Sequence, residues 1–250
     1  MTLTVRAPFR SRPPLNLRTG ILLLTLFGLV RVALVLQANV TGSYEVVSLV
    51  FVAMIALPFI LLTREGRNRI GLVRPSRRRW LIPAVLAGVA MALGVHVGAT
   101  ALWGHTVSNP FAYIARSYSS LPAALSEDDR LIYFIIFAAI GMLFSPLGEE
   151  FLYRGVAHES FASQLGDRRA ALIDAAAFAV THLAHYGVVF VAGAWAFLPL
   201  PALFWVTAMF LASLAFYGFR KLTGSLAGAV AAHAGFNLAM NWAIIYAILP

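Results

Sequence analysis

The chain is expected to fold as an all-α bundle of transmembrane helices, about seven of them within a range of six to eight, around a polar cavity inside the membrane. Three observations predict this. Of 250 residues 60% are hydrophobic and only 12% are charged, whereas a soluble domain carries roughly 25% charged residues. Apolar runs long enough to cross a bilayer recur along the chain, divided by short polar connections. The arginines gather in every second connection, as they do where cytoplasmic loops alternate with external ones.

Residues 1–19 carry Arg6, Arg10, Arg12 and Arg18 and are read as a cytoplasmic segment. They look like the basic region of a secretion signal, but no small-residue cleavage site follows the apolar run, so residues 20–37 are expected to stay as the first span. Arg31 lies inside that span. It has two readings: a pair with Glu45 at the start of the next span, or a helix contact with its head drawn toward the interface. Residues 44–62 form the second span. The connection 63–79 holds Arg64, Arg67, Arg69, Arg74, Arg77, Arg78 and Arg79, a density that keeps it in the cytoplasm. The third span, 80–103, has tryptophans at both ends, where an interfacial belt places them. His96 within it is read as a packed histidine.

Residues 104–130 form the longest polar connection and are read as external, so that residues 20–130 make an amino-terminal unit of three spans with its basic and external loops. Ser126-Glu127-Asp128-Asp129 has the form of a capping box with extra negative charge in the first helical turn. The fourth span therefore starts there and continues through Leu131. Pro146 removes a backbone donor and crowds the preceding turn, so a kink or break is expected just before Glu149 and Glu150. Residues 151–165 are too polar to span and read as amphipathic, returning the chain to the basic side at Asp167, Arg168 and Arg169. The fifth span, 170–190, carries Asp174, His182 and His185. Pro199-Leu200-Pro201 marks a short return before a sixth span that starts near residue 202 and closes at Arg220 and Lys221. The seventh, 226–248, carries His233 and Asn237. Every Lys and Arg except Arg31, Arg116 and Arg130 then falls on one side, which puts the amino terminus in the cytoplasm and the carboxyl terminus outside.

The net charge of +9 follows these loops and forms no basic stripe with interleaved aromatics, so no nucleic-acid partner is expected. Cysteine is absent, which removes disulfides, a thiolate nucleophile and thiolate metal ligands. What remains is carboxylate and imidazole chemistry. An ionisable group within a span costs about 2.5–3.5 kcal/mol to insert, so Glu149, Glu150 and Arg154 need a reason to be there. Glu150 and Arg154 are i,i+4 neighbours and can pair. Glu149 points about 100° away on a helix and lacks a local partner, which makes it the candidate base. Phe178 and His182 share one helix face, as do His233 and Asn237. A carboxylate and an imidazole can hold and deprotonate a water; an imidazole and a carboxamide can stabilise the oxyanion that its attack on an amide creates. Other intramembrane protease chemistries lack their residues. His158-Glu159 is followed by Ala162 where a zinc motif needs histidine, Asp174 is the lone aspartate within a span, and no Gly-x-Ser-Gly is present.

In this order Glu-Glu-x-x-x-Arg, Phe-x-x-x-His and His-x-x-x-Asn, with Lys221-Leu-Thr-Gly-Ser225 leading into the last, resemble the CPBP family of CAAX prenyl endopeptidases and bacteriocin-processing or Abi-type membrane proteins. The resemblance covers roughly residues 131–241 and implies a catalytic core over 131–250. It implies a glutamic-type intramembrane endopeptidase without a cofactor, in which Glu149 and His182 activate water and His233 and Asn237 form the oxyanion hole. Glu150, Arg154 and Phe178 would support them. The partners it implies are membrane lipid and a membrane-bound or lipidated peptide substrate, a prenylated one included. Two alternatives stand beside it: a zinc-dependent membrane hydrolase with Glu149, His182 and His233 as ligands, and an inactive membrane protein of the immunity or chaperone type. His105, His158, His185 and Asp174 fall outside the motifs and are read as structural or surface residues. A reporter fused after Arg69 should report the cytoplasm and one inserted near Ser119 the opposite side; reversal of both would refute this topology.

Overall fold

The first helix begins where Asn16 accepts hydrogen bonds from the backbone N–H groups of Arg18 and Thr19, giving a helix start the acceptors it lacks within itself. The computed structural model describes residue 6 and residues 16–118, 121–122 and 125–250. Arg10, Arg12, Ser119 and most of the expected cytoplasmic segment lie outside the described residues. Helices α1 (Leu17–Thr41) and α2 (Val47–Leu61) form an apolar pair. The arginine-rich connection holds α3 (Arg64–Arg69), capped by Thr63, and a single 3₁₀ turn that leads into α4 (Leu81–Trp103). The short α5 (Pro110–Ile114) lies in the long polar connection expected to be external. Ser126 caps α6 (Glu127–Glu149) by accepting from the Asp129 N–H, as the capping box requires.

Beyond α6 come α7 (His158–Leu165), α8 (Asp167–Thr181), α9 (Pro199–Thr223) and α10 (Leu226–Ala243). The fold is an all-α bundle with one small hairpin. Four helical stretches among the described residues are long and apolar enough to cross a membrane, at 17–41, 78–103, 127–165 and 199–223, and α2 is a shorter apolar helix.

The structure corrects three local expectations. The helix does not break at Pro146: α6 continues through it to Glu149, and the winding then widens into a π-helical stretch, Glu150–Ala157. The missing proline donor is absorbed within the continuous helix, and the irregular backbone falls on the motif itself, where π-helical turns commonly mark functional sites. Of the amphipathic segment expected at 151–165, residues 151–157 are buried on every side, so only its second half, α7, carries an exposed face. Finally, the fifth helix stops at Thr181, well short of residue 190. After a 3₁₀ turn at His182–Ala184 the chain forms an antiparallel hairpin of β1 (Val188–Val191) and β2 (Ala194–Phe197). Valine and aromatic residues favour strands, and Ala192 and Gly193, with φ of 52° and 81°, turn the hairpin in the left-handed region that two-residue loops use. Pro199 opens α9 as a first-turn residue, where its missing N–H costs nothing.

Helix α10 packs against α4, α6 and α9, and its contact with α4 is made by glycine. A Cβ on Gly88 would fall 1.9 Å from the Ala232 carbonyl oxygen, and one on Gly235 would fall 2.2 Å from that of Val85. Small residues at such a crossing let two membrane helices touch backbone to backbone. This fixes the helix that carries His233 and Asn237. Gly88→Ala should therefore lower the unfolding temperature in detergent, since overpacking costs about 1–3 kcal/mol. Gly94→Ala on the same helix, where nothing lies within 4 Å of the new methyl, should be neutral or mildly stabilising; equal effects of the two would refute the close crossing.

Candidate active site

The π-helical stretch begins at Glu150, directly after Glu149 at the end of α6, and ends at Ala157, just past Arg154. Glu149, Glu150 and Arg154 are all fully buried, and each finds an opposite charge. Arg154 Nη1 lies 3.2 Å from Glu150 Oε1, the i,i+4 pair expected from spacing. Its guanidinium also stacks 4.3 Å from the centre of the Phe178 ring, a cation–π contact that suits a desolvated arginine. Glu149 is not unpaired. Its Oε1 lies 2.6 Å from Nη2 of Arg31, so Arg31 crosses to α6 and does not pair with Glu45.

His182 occupies the 3₁₀ turn at the end of α8. Its Nδ1 donates to the Phe178 carbonyl oxygen at 2.7 Å, since a carbonyl can only accept. Nε2 therefore presents its lone pair, and Arg31 Nη2 lies 3.2 Å away. The Phe178 and His182 rings are 4.3 Å apart, so the phenylalanine contacts both the imidazole and the Arg154 guanidinium. On α10, His233 Nδ1 donates to Glu150 Oε1 at 2.8 Å, while its Nε2 lies 3.7 Å from Glu149 Oε2. The ring stacks on Phe216 at 4.9 Å. Asn237, one turn further on, donates from Nδ2 to the Gly141 carbonyl at 2.8 Å, leaving one N–H of its amide for another acceptor.

The three motifs thus meet, but not in the expected pattern. The place between Glu149 and His182, where a shared water was expected, is held by Arg31 Nη2. His233 does not face Glu149 across a cavity; it sits against both glutamates. A cavity of about 310 Å³ adjoins them, lined by Arg31, His182, His185, His233 and Asn237 among mostly apolar neighbours such as Trp205 and Phe216. Its size falls in the range of small-molecule sites, and its walls are more apolar than expected. Glu149 stands behind this wall and does not line it.

Two site residues escaped the sequence reading. Arg31 is 2% exposed, and an intramembrane arginine is itself a signal, but nothing in the local spacing named a partner so distant in the chain. His185 reaches Arg31 Nη2 with Nε2 at 3.2 Å; its position three residues after His182, one turn on, was the available hint. The structural reading of His158 and Asp174 matches their geometry. Both are fully buried, His158 Nδ1 lies 2.7 Å from Asp174 and Nε2 lies 2.9 Å from Asp167, away from the cavity.

Residues 131–239 match the family of type II CAAX prenyl endopeptidase Rce1-like proteins. This stretch is an Rce1-like domain. No curated protein and no solved structure matches the chain. The Rce1-like domain supplies both glutamates, Arg154, Phe178, His182, His233 and Asn237. Arg31 comes from outside it.

Removing one member of a buried ion pair leaves the other charge stranded, at a cost of about 3–5 kcal/mol. Glu150→Leu should therefore lower the unfolding temperature sharply, because it strands Arg154 and also the Nδ1–H of His233. Glu149→Leu should do the same through Arg31, and Glu149→Gln less so, because the amide oxygen can still accept. A Glu149→Leu protein as stable as wild type would contradict the buried pair.

Proposed function

We propose that the chain is an intramembrane endopeptidase in which Glu149 activates a water without a metal. The observation that carries this reading is the meeting of His233 with both glutamates at the wall of a cavity that His182 and Asn237 also line. Glu149 accepts the proton of the water as its oxygen bonds to the scissile carbonyl carbon. The two imidazoles order the base and its surroundings, with His233 Nε2 near enough to Glu149 Oε2 to relay that proton toward the departing amine. The carbonyl oxygen gains the negative charge, and the uncommitted N–H of Asn237 is the donor for it; His233, whose Nδ1–H is held by Glu150, can donate from Nε2 only once it carries the relayed proton. Glu150 and Arg154 hold His233 and Phe178 in place.

A zinc ion on Glu149, His182 and His233 fits these residues poorly. It would have to take the position of the Arg31 guanidinium, which lies between Glu149 and His182. The substrate class follows the family: a membrane-bound peptide, with a prenylated CAAX tail as the first probe. The arginine distribution supports a cytoplasmic amino terminus and an external carboxyl terminus.

The test uses the full chain in liposomes with a quenched fluorescent peptide that ends in a prenylated CAAX tail. Wild type should cleave it, with or without a chelator, and Glu149→Gln should not. Asn237→Ala should lower kcat by about 10²–10³ with little change in KM, the usual cost of one oxyanion donor. Cleavage that survives Glu149→Gln, or that is lost to the chelator and returns with zinc, would overturn the proposal; full biological function in Glu149→Gln would favour the non-enzymatic alternative.

A further inference from the structure

Arg31 lies on α1, outside the Rce1-like domain, yet it reaches four residues of the site. Nη2 lies 2.6 Å from Glu149 Oε1 and 3.2 Å from both His182 Nε2 and His185 Nε2, and Nη1 donates to Thr181 Oγ1 at 3.1 Å. Thr181 passes its own proton to the Phe178 carbonyl, so its oxygen is free to accept from Arg31. The approach of α1 to α8 is made at Gly28, where a Cβ would already lie 3.2 Å from the Thr181 methyl.

An atom within reach of both Glu149 Oε1 and His182 Nε2 is what a shared water would have to be, and that atom is the arginine nitrogen. For water to replace it, a buried guanidinium would have to leave its carboxylate, a state held by about one molecule in a hundred or fewer. Glu149 has a second oxygen. Oε2 lies 3.7 Å from His233 Nε2, a separation that a water standing to one side can bridge with two ordinary hydrogen bonds.

We propose that Arg31 is a positioning residue of the hydrolytic site: it occupies Oε1 of Glu149, so that Oε2 takes the proton from a water held beside His233, and His182 and His185 act on the reaction through Arg31. The inference rests on the endopeptidase reading for its chemistry and on geometry alone for the pairing. It makes the site incomplete without the first helix.

The pairing is tested without any activity. A hydrophobic carbodiimide adds to a carboxyl group that has no cationic partner, and mass spectrometry reads the adduct at Glu149. In wild type Glu149 should be protected; in Arg31→Gln it should label about tenfold faster or more, and Arg31→Lys, which keeps the charge, should lie between. Equal labelling of all three overturns the pairing, and if Arg31→Gln does not fold, Arg31→Lys against wild type decides. The role is tested with the prenylated peptide. Arg31→Gln should lower kcat by about 10², as a small misplacement of a catalytic group does, with KM nearly unchanged and activity partly restored in Arg31→Lys. His182→Ala should cost far less in the Arg31→Gln background than alone, because residues acting through one another are not additive. Full additivity, or an unchanged kcat in Arg31→Gln, overturns the positioning role. Should wild type fail to cleave the peptide, the endopeptidase reading falls, while the labelling result still stands for or against the pair.

Discussion

Two adjacent carboxylates buried in an apolar bundle are the constraint on which the structure turns. Each would be prohibitive alone, since an isolated buried charge costs far more than any single packing contact can return. The chain meets the cost with two arginines from opposite directions. Arg154 arises locally, from the same turn as Glu150, whereas Arg31 must be delivered by α1, and His233 by α10. Pairing therefore dictates which helices surround the π-helical stretch. An apolar bundle of the same lengths would have many near-equivalent arrangements; here a wrong neighbour leaves a charge unpartnered.

The aromatic residues close the arrangement by shaping what lies between the charges. Phe178 is shared: its ring meets the guanidinium of Arg154, the imidazole of His182 and, edge-on at 5.8 Å, that of His233. Its backbone carbonyl fixes both His182 and Thr181. One residue so placed couples the acidic stretch to the two histidines that flank it. The low dielectric that these rings create strengthens each charged contact, and also raises the cost of any contact that is lost. The same packing that makes the site rigid makes it intolerant.

The helices were legible in the sequence because a bilayer demands long apolar runs, and the motif pairs because a helix places i and i+4 side by side. The Phe178–His182 contact follows from that period, and the Glu150–Arg154 pair persists although its turn is wound as a π-helix. Contacts between helices do not follow from the period. Arg31 and Glu149 have no shared periodicity, so the sequence offered the nearer Glu45 for the arginine and left Glu149 without a partner. The hairpin was hidden for a different reason. Residues 188–197 are as apolar as a span, and only their valines, aromatics and the Ala192-Gly193 turn distinguish two strands from the end of a helix. Pro146 does not break the helix, because a proline weakens a helix without having to break it when the surrounding bundle holds both sides in place.

The seating of α1 explains how an arginine outside the domain reaches its buried glutamate. Near its start, Gly20 leaves room for the Phe161 ring on α7, 2.7 Å from where a Cβ would stand, and two turns later Gly28 admits the Thr181 methyl of α8. Both notches lie on the face that buries Leu24 and Arg31. Steric fit thus sets the height and rotation of α1 before any charge is considered, and at that setting Arg31 meets Thr181, His182, His185 and Glu149 together. Apolar matching between helices is weak as a driving force in lipid, so the helix needs a polar contact to hold it. The buried ion pair supplies that contact, and the glycine notches ensure that it forms with Glu149.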